Sequence, residues 1–176
     1  MASIADLLAL QGNIKKDPDG YKEEFLLQYK HYQALLEILL LKPSAEGKEF
    51  GELANFVAQV SRCYPKDTSD FTAGLMNLLD THALLMNATL RRTLVQALIL
   101  LRNRGQIDAV QQLPLFFKLF KCQDKLLRQQ LYKHIIVDIR NANKGSRNEK
   151  LNRSVQNFLY SVVTVNSTGG GGGGGG

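Results

Sequence analysis

The sequence predicts an all-α chain of about eight helices arranged as successive hairpins. Three observations lead there. Apolar residues recur at three- and four-residue spacing, as Leu90, Leu94, Ala97, Leu98 and Leu101 do, which marks one face of a helix. β-branched and aromatic residues nowhere alternate with polar ones over a useful length, so the half-buried strand pattern is missing. Short connectors holding helix breakers, such as Pro43-Ser44, Tyr64-Pro65 and Gly105, separate the apolar runs.

Residues 3–16 predict a first helix with Ile4, Leu7, Leu8 and Ile14 on its apolar face. Asp17 suits the cap of a second helix and Pro18 its first position. Glu23 and Glu24 then fall near the positive end of that helix dipole. The second helix reaches about Leu40, with Tyr21, Phe25, Tyr29, Tyr32, Leu36 and Leu39 on one side. A third, about Lys48 to Arg62, packs Phe50, Leu53, Ala54, Val57 and Val60. Asp67, Thr68 and Ser69 offer caps for a short fourth helix carrying Phe71, Leu75, Leu78 and Leu79, followed by a loop over 80–86. Asn87 caps the fifth helix, and Gly105 ends it where a left-handed residue is wanted. Pro114 either kinks the sixth helix or marks its start. Asp124 caps the seventh, which carries Leu127, Leu131, Ile135 and Ile139 on one face and Leu126, Ile136 and Val137 elsewhere. An eighth spans about Asn148 to Val162.

Two architectures fit eight such helices: a closed bundle and an open α-solenoid of HEAT or armadillo type. The fifth and seventh helices are apolar on several sides, which suits burial between neighbours and favours the solenoid. The helical-repeat domain is expected over residues 1–163, with a polar and polyglycine tail over 164–176. Eight consecutive glycines are too costly in backbone entropy to order. With Leu159, Val162 and Val163 left uncovered at the last helix, the chain is expected to be a shortened or alternatively ended form of a longer protein, poorly soluble alone.

Composition and motifs exclude several classes. Two distant cysteines, Cys63 and Cys122, do not make a disulfide framework. The N-terminus lacks the plan of a secretory signal, and no run reaches the roughly 18 apolar residues of a membrane span. A soluble intracellular protein is expected. His31, His82 and His134 fall on different helices, and no C-x-x-C or H-x-x-x-H spacing supplies metal ligands. Asp17, Asp19 and Gly20 lack the spacing of a calcium loop. Cys122, Asp124 and His134 read better as a buried thiol and its neighbours than as a nucleophile site. The aromatic side of the second helix reads better as core than as a base-stacking platform. No catalytic residue, metal, cofactor or small-molecule substrate is expected.

Charge is the informative feature. Residues 85–153 hold fourteen Lys or Arg against four acids, a net of +10, while residues 1–84 hold eight against twelve, a net of −4. Such segregation points to a polyanionic partner. The candidate contact residues are Arg91, Arg92, Arg102, Arg104, Lys121, Lys125, Arg128, Lys133, Arg140, Lys144, Arg147, Lys150 and Arg153. They suit phosphate backbones or an acidic protein surface and offer no base-reading module.

Eight segments in order carry a family likeness: DPDGYKEEFLLQYKHY (17–32), LKPS (41–44), KEFGEL (48–53), CYP (63–65), LRRTLVQALILLRNR (90–104), CQDKLLR (122–128), LYKHIIVDIRN (131–141) and VQNFLY (155–160). Together they resemble the N-terminal region of the Sda (severe depolymerization of actin) family over about residues 7–163. The resemblance implies a non-enzymatic nuclear and nucleolar factor for assembly and nuclear export of the pre-60S (large) ribosomal subunit, also linked to actin organisation. It implies a helical-repeat domain docked on pre-ribosomal particles through rRNA and proteins. An adaptor in protein transport that binds proteins without touching RNA is the alternative reading.

Overall fold

A computed structural model describes residues 2–168 of the chain, with side chains through Ser161. Among the described residues there are eight α-helices, one 3-10 turn and no strand. The helices are α1 (Ile4–Lys16), α2 (Lys22–Leu41), α3 (Lys48–Val60), α4 (Phe71–His82), α5 (Ala88–Asn103), α6 (Ala109–Leu119), α7 (Lys125–Ala142) and α8 (Glu149–Thr168), with the 3-10 turn Ser61–Cys63 after α3.

Contacts arrange them as a solenoid. α1, α3, α5 and α7 lie side by side in one layer, and α4, α6 and α8 in another. Each of α2, α4 and α6 also packs on the helix that follows it. α5 is the central plank: Leu94, Val95, Ala97, Leu98 and Leu101 are all fully buried. The apolar surround of this helix is therefore satisfied, as its sequence requires. α3 meets it closely because Gly51 has no side chain; a Cβ there would lie 3.1 Å from Leu90 Cδ1.

The aromatic side of α2 is core. Phe25, Tyr29 and Tyr32 are buried, with Phe25 stacked on Tyr64 at 4.2 Å and Tyr32 on Phe50 at 5.1 Å. Two of the phenols find partners at the rim: Tyr29 donates to Asp70 Oδ1 at 2.7 Å and Tyr64 to the Pro18 carbonyl at 2.7 Å.

Several local caps match expectation. The Asn87 side chain accepts from the Leu90 N–H, Asp124 from the Leu127 N–H, and Gly105 sits at φ 76°. Others do not. Asp17 does not cap α2; its Oδ1 accepts from the Gly20 N–H, making a turn that delays the helix to Lys22. α4 is not capped by Asp67, Thr68 or Ser69. Asp67 pairs with Lys22, and the Thr68 hydroxyl bonds back to the Tyr64 carbonyl at 2.7 Å, so the helix starts after Asp70. It also runs to His82, into the expected loop. Pro114 lies inside α6, whose start is the capping box of Asp108 and Gln111. α8 continues to Thr168, so the expected boundary at 163 falls within a helix. Residues 169–176 of the expected tail lie outside the described residues.

α7 departs from the burial on several sides that its sequence suggested. Its side bearing Leu126, Ile136 and Val137 is not covered: they are 58%, 39% and 44% exposed.

Candidate functional site

The thirteen candidate cations divide into two groups. Four are internal. Arg91 is buried on α5; its Nη1 donates to the Ala83 carbonyl at 2.8 Å and its Nη2 pairs with Asp124 Oδ2 at 3.4 Å. Arg92 Nη1 reaches the same oxygen at 2.8 Å. Burial is the largest influence on the Asp124 carboxyl and would raise its pKa. The Leu127 N–H and the two guanidiniums together outweigh it and hold the group below the usual carboxylate value. Arg102 grips Asp138 with two bonds, Nε to Oδ2 at 3.1 Å and Nη2 to Oδ1 at 3.0 Å, and donates also to the Ile107 carbonyl. Arg104 clasps Gln59 of α3, donating to its carbonyl at 2.6 Å and its Oε1 at 2.8 Å.

Arg91, Arg92, Arg102 and Arg104 therefore join neighbouring helices instead of presenting charge to a partner. Their acids explain why. Asp124 and Asp138 are both buried, and a buried carboxylate needs charged and hydrogen-bonding partners. Two of the four acids in the basic half are thus consumed inside. The periodicity carried a signal for this. Arg91 lies three and seven residues before Leu94 and Leu98, on the buried face, and Asp138 follows Leu131 and Ile135 at the same spacings.

The remaining nine are exposed. Lys121, Lys125, Arg128 and Lys133 belong to the end of α6 and the outer side of α7; Arg140, Lys144, Arg147, Lys150 and Arg153 gather around the α7–α8 turn. Arg147 meets Glu149 at 3.1 Å, but both side chains are about two-thirds exposed, and such a pair contributes little.

Three asparagines that the sequence did not flag hold the turn. Asn143 and Asn152 exchange amide hydrogen bonds at 3.0 and 3.1 Å. Asn143 Oδ1 also accepts from the Asn148 N–H, and Asn148 Oδ1 accepts from Leu151 N–H to cap α8. Lys144 and Arg147 thus project from a turn pinned on both sides.

Other clusters offer no chemistry of their own. Cys63 and Cys122 are free thiols, and burial pushes Cys122 above the ordinary thiol range, which suppresses the reactive thiolate. His134 is buried, with its Nε2 against Gln112 Oε1 at 3.1 Å. No three His, Cys, Asp or Glu converge as metal ligands among the described residues, and no helix among them is long and apolar enough to cross a membrane. A hollow of about 670 Å³ between α3 and α5 is lined by Glu46, Lys48, Glu52, Asn55 and Thr93 among others.

A family model described as SDA1, HEAT repeat, matches residues 56–171. The chain belongs to the SDA1 family. It is 47% identical over 164 residues to the SDA1 homolog of Dictyostelium discoideum, covering 93% of this chain and 22% of the relative. Against the SDA1 homolog of Xenopus tropicalis the identity is 47% over 162 residues, covering 92% and 24%. Against protein sda1 of Schizosaccharomyces pombe it is 38% over 161 residues, covering 91% and 22%. The chain thus spans about a quarter of the length of these curated relatives. HEAT repeats agree with the two-layer stack seen here: an SDA1-family helical-repeat domain.

Proposed function

We propose that this SDA1-family chain is a non-catalytic docking domain in the assembly and nuclear export of pre-60S ribosomal subunits, acting in the nucleus and nucleolus. The observation that carries the reading is the cationic α7–α8 turn. Arg140, Lys144, Lys150 and Arg153 surround it without a large apolar side chain among the turn residues, and Asn143 and Asn152 hold its backbone. Exposed, positive surfaces of this kind suit phosphate backbones, whose binding draws on counterion release and carries no base sequence. The contact is with rRNA phosphates on the particle.

The test is binding of rRNA fragments across a salt series. Affinity is expected to fall steeply with salt. Combined reversal, Arg140→Glu with Lys144→Glu and Arg147→Glu, is expected to remove binding and flatten the dependence by roughly one unit of slope per lost phosphate contact. Unchanged binding by the triple variant removes the turn from the reading. A protein-directed adaptor is the second reading, favoured by the uncovered apolar side of α7. Partners that stay bound after nuclease treatment support it.

A further inference from the structure

We propose that the outer face of α7 is a docking surface for an acidic amphipathic protein segment, separate from the phosphate-binding turn. The inference rests on the docking-domain reading above and names a second partner chemistry for it.

The argument begins with what α7 turns inward. Leu127, Leu131, His134, Ile135 and Asp138 are buried. The opposite side mixes two residue types. Leu126, Tyr132, Ile136 and Val137 are 58%, 63%, 39% and 44% exposed, and Lys125, Arg128 and Lys133 are exposed between them. Among the described residues no acid pairs with Lys125, Arg128 or Lys133. Asp138, the one carboxylate within α7, faces inward to Arg102, and Asp124 at its start is buried against Arg91 and Arg92. At one edge Phe120, Lys125, Arg128, Gln129 and Tyr132 line an open hollow of about 540 Å³, with room for a large apolar side chain between two cations.

The chemistry selects the occupant. Nucleic acid would use the cations but not the aliphatic residues: Leu126, Ile136 and Val137 have no π-face for a base to stack on, and desolvating them against a phosphate gains nothing. A second copy of the same face would set cation against cation. A helix with Leu or Phe at i, i+3, i+4 and i+7 and Asp or Glu beside them satisfies both halves at once. Tyr and Arg are also the residue types that most often anchor protein interfaces.

The probe is a synthetic amphipathic peptide of about five helical turns, with leucines on one face and glutamates flanking them, labelled for anisotropy. Controls are the same peptide with lysine for glutamate and an rRNA stem-loop. The intact chain is expected to bind the acidic peptide and not the lysine peptide. Tyr132→Ser with Ile136→Ser is expected to weaken the peptide at least tenfold while leaving the stem-loop unaffected. Both side chains are exposed, so the melting temperature should hold; Lys125→Glu with Arg128→Glu gives an independent second variant with the same expected loss. Equal binding of the lysine peptide, or wild-type affinity in both variants, overturns the proposal. Loss of the stem-loop in the Tyr132/Ile136 variant also overturns it and makes α7 a nucleic-acid face. Failure of the Arg140, Lys144 and Arg147 reversal to weaken rRNA would strike the function reading and not this one.

Discussion

Replacing Asp124 by Ala tests whether the basic half is held together from within. The carboxylate does three jobs at once. Its Oδ1 accepts the Leu127 N–H at 3.1 Å and caps α7; its Oδ2 accepts from Arg92 at 2.8 Å and from Arg91 at 3.4 Å. Losing the cap costs about 1 kcal/mol. Arg91 is the larger issue. Its side chain is 8% exposed, and its Nε has no hydrogen-bond partner among the described residues, so only the Ala83 carbonyl would remain to it. Stranding a buried charge costs about 3–5 kcal/mol. The two effects share one side chain and are not additive, so we expect about 4 kcal/mol in all. In a domain of this size that lowers the melting temperature by roughly 8–16 °C. Urea denaturation measures the loss as a shift in midpoint with m unchanged. Arg91→Met added to Asp124→Ala should recover part of the loss, because it removes the stranded charge. The depressed pKa of Asp124 sets the pH sign. Its contribution is complete above the usual carboxylate value and lost as pH falls below it, so the variant and the wild type should converge in acid. A loss of only about 1 kcal/mol, or an Arg91→Met penalty that adds in full, would show that the carboxylate is merely a cap.

Two further outcomes are expected. His134 is held below the ordinary histidine pKa of 6.5, chiefly by burial, aided by Arg102 and opposed by Asp138; Gln112 and Phe116 of α6 enclose the rest of the ring. The neutral ring is the folded form, so stability should decline as pH falls below 6.5, and His134→Gln should remove that part of the slope in urea midpoints. Phe158 joins α8 to α6 by stacking on Phe117 at 4.1 Å and tilting against Phe120 at 5.3 Å. Phe158→Ala should cost about 2–3 kcal/mol locally, seen as faster amide exchange in α8 with α5 unaffected; unchanged α8 protection would mean that other contacts hold the helix.

Helices were legible because their signals are local. Asn87 and Asp124 announce starts three residues ahead of the N–H they serve, and Gly105 announces an end, since each cap is settled within one turn of chain. Asp17 and Thr68 misled for the same reason. Both are good caps by type, but Asp17 spends its three-residue bond to the Gly20 N–H on a turn that ends before α2 begins, and the Thr68 hydroxyl turns back to the Tyr64 carbonyl.

By itself the sequence determined the all-helical class, the approximate helix count and the segregation of positive charge into the second half, because periodicity and charge are properties of neighbours along the chain. Periodicity marked Arg91 for the buried face of its helix, but it could not name the acids that meet Arg91 and Arg102, because those acids lie more than thirty residues further along the chain. Tertiary packing decided that: α5 and α7 lie adjacent, which brings buried Asp124 and Asp138 to the arginines of α5. A carboxylate removed from water takes whichever cation the fold delivers, and only the cations left over face solvent.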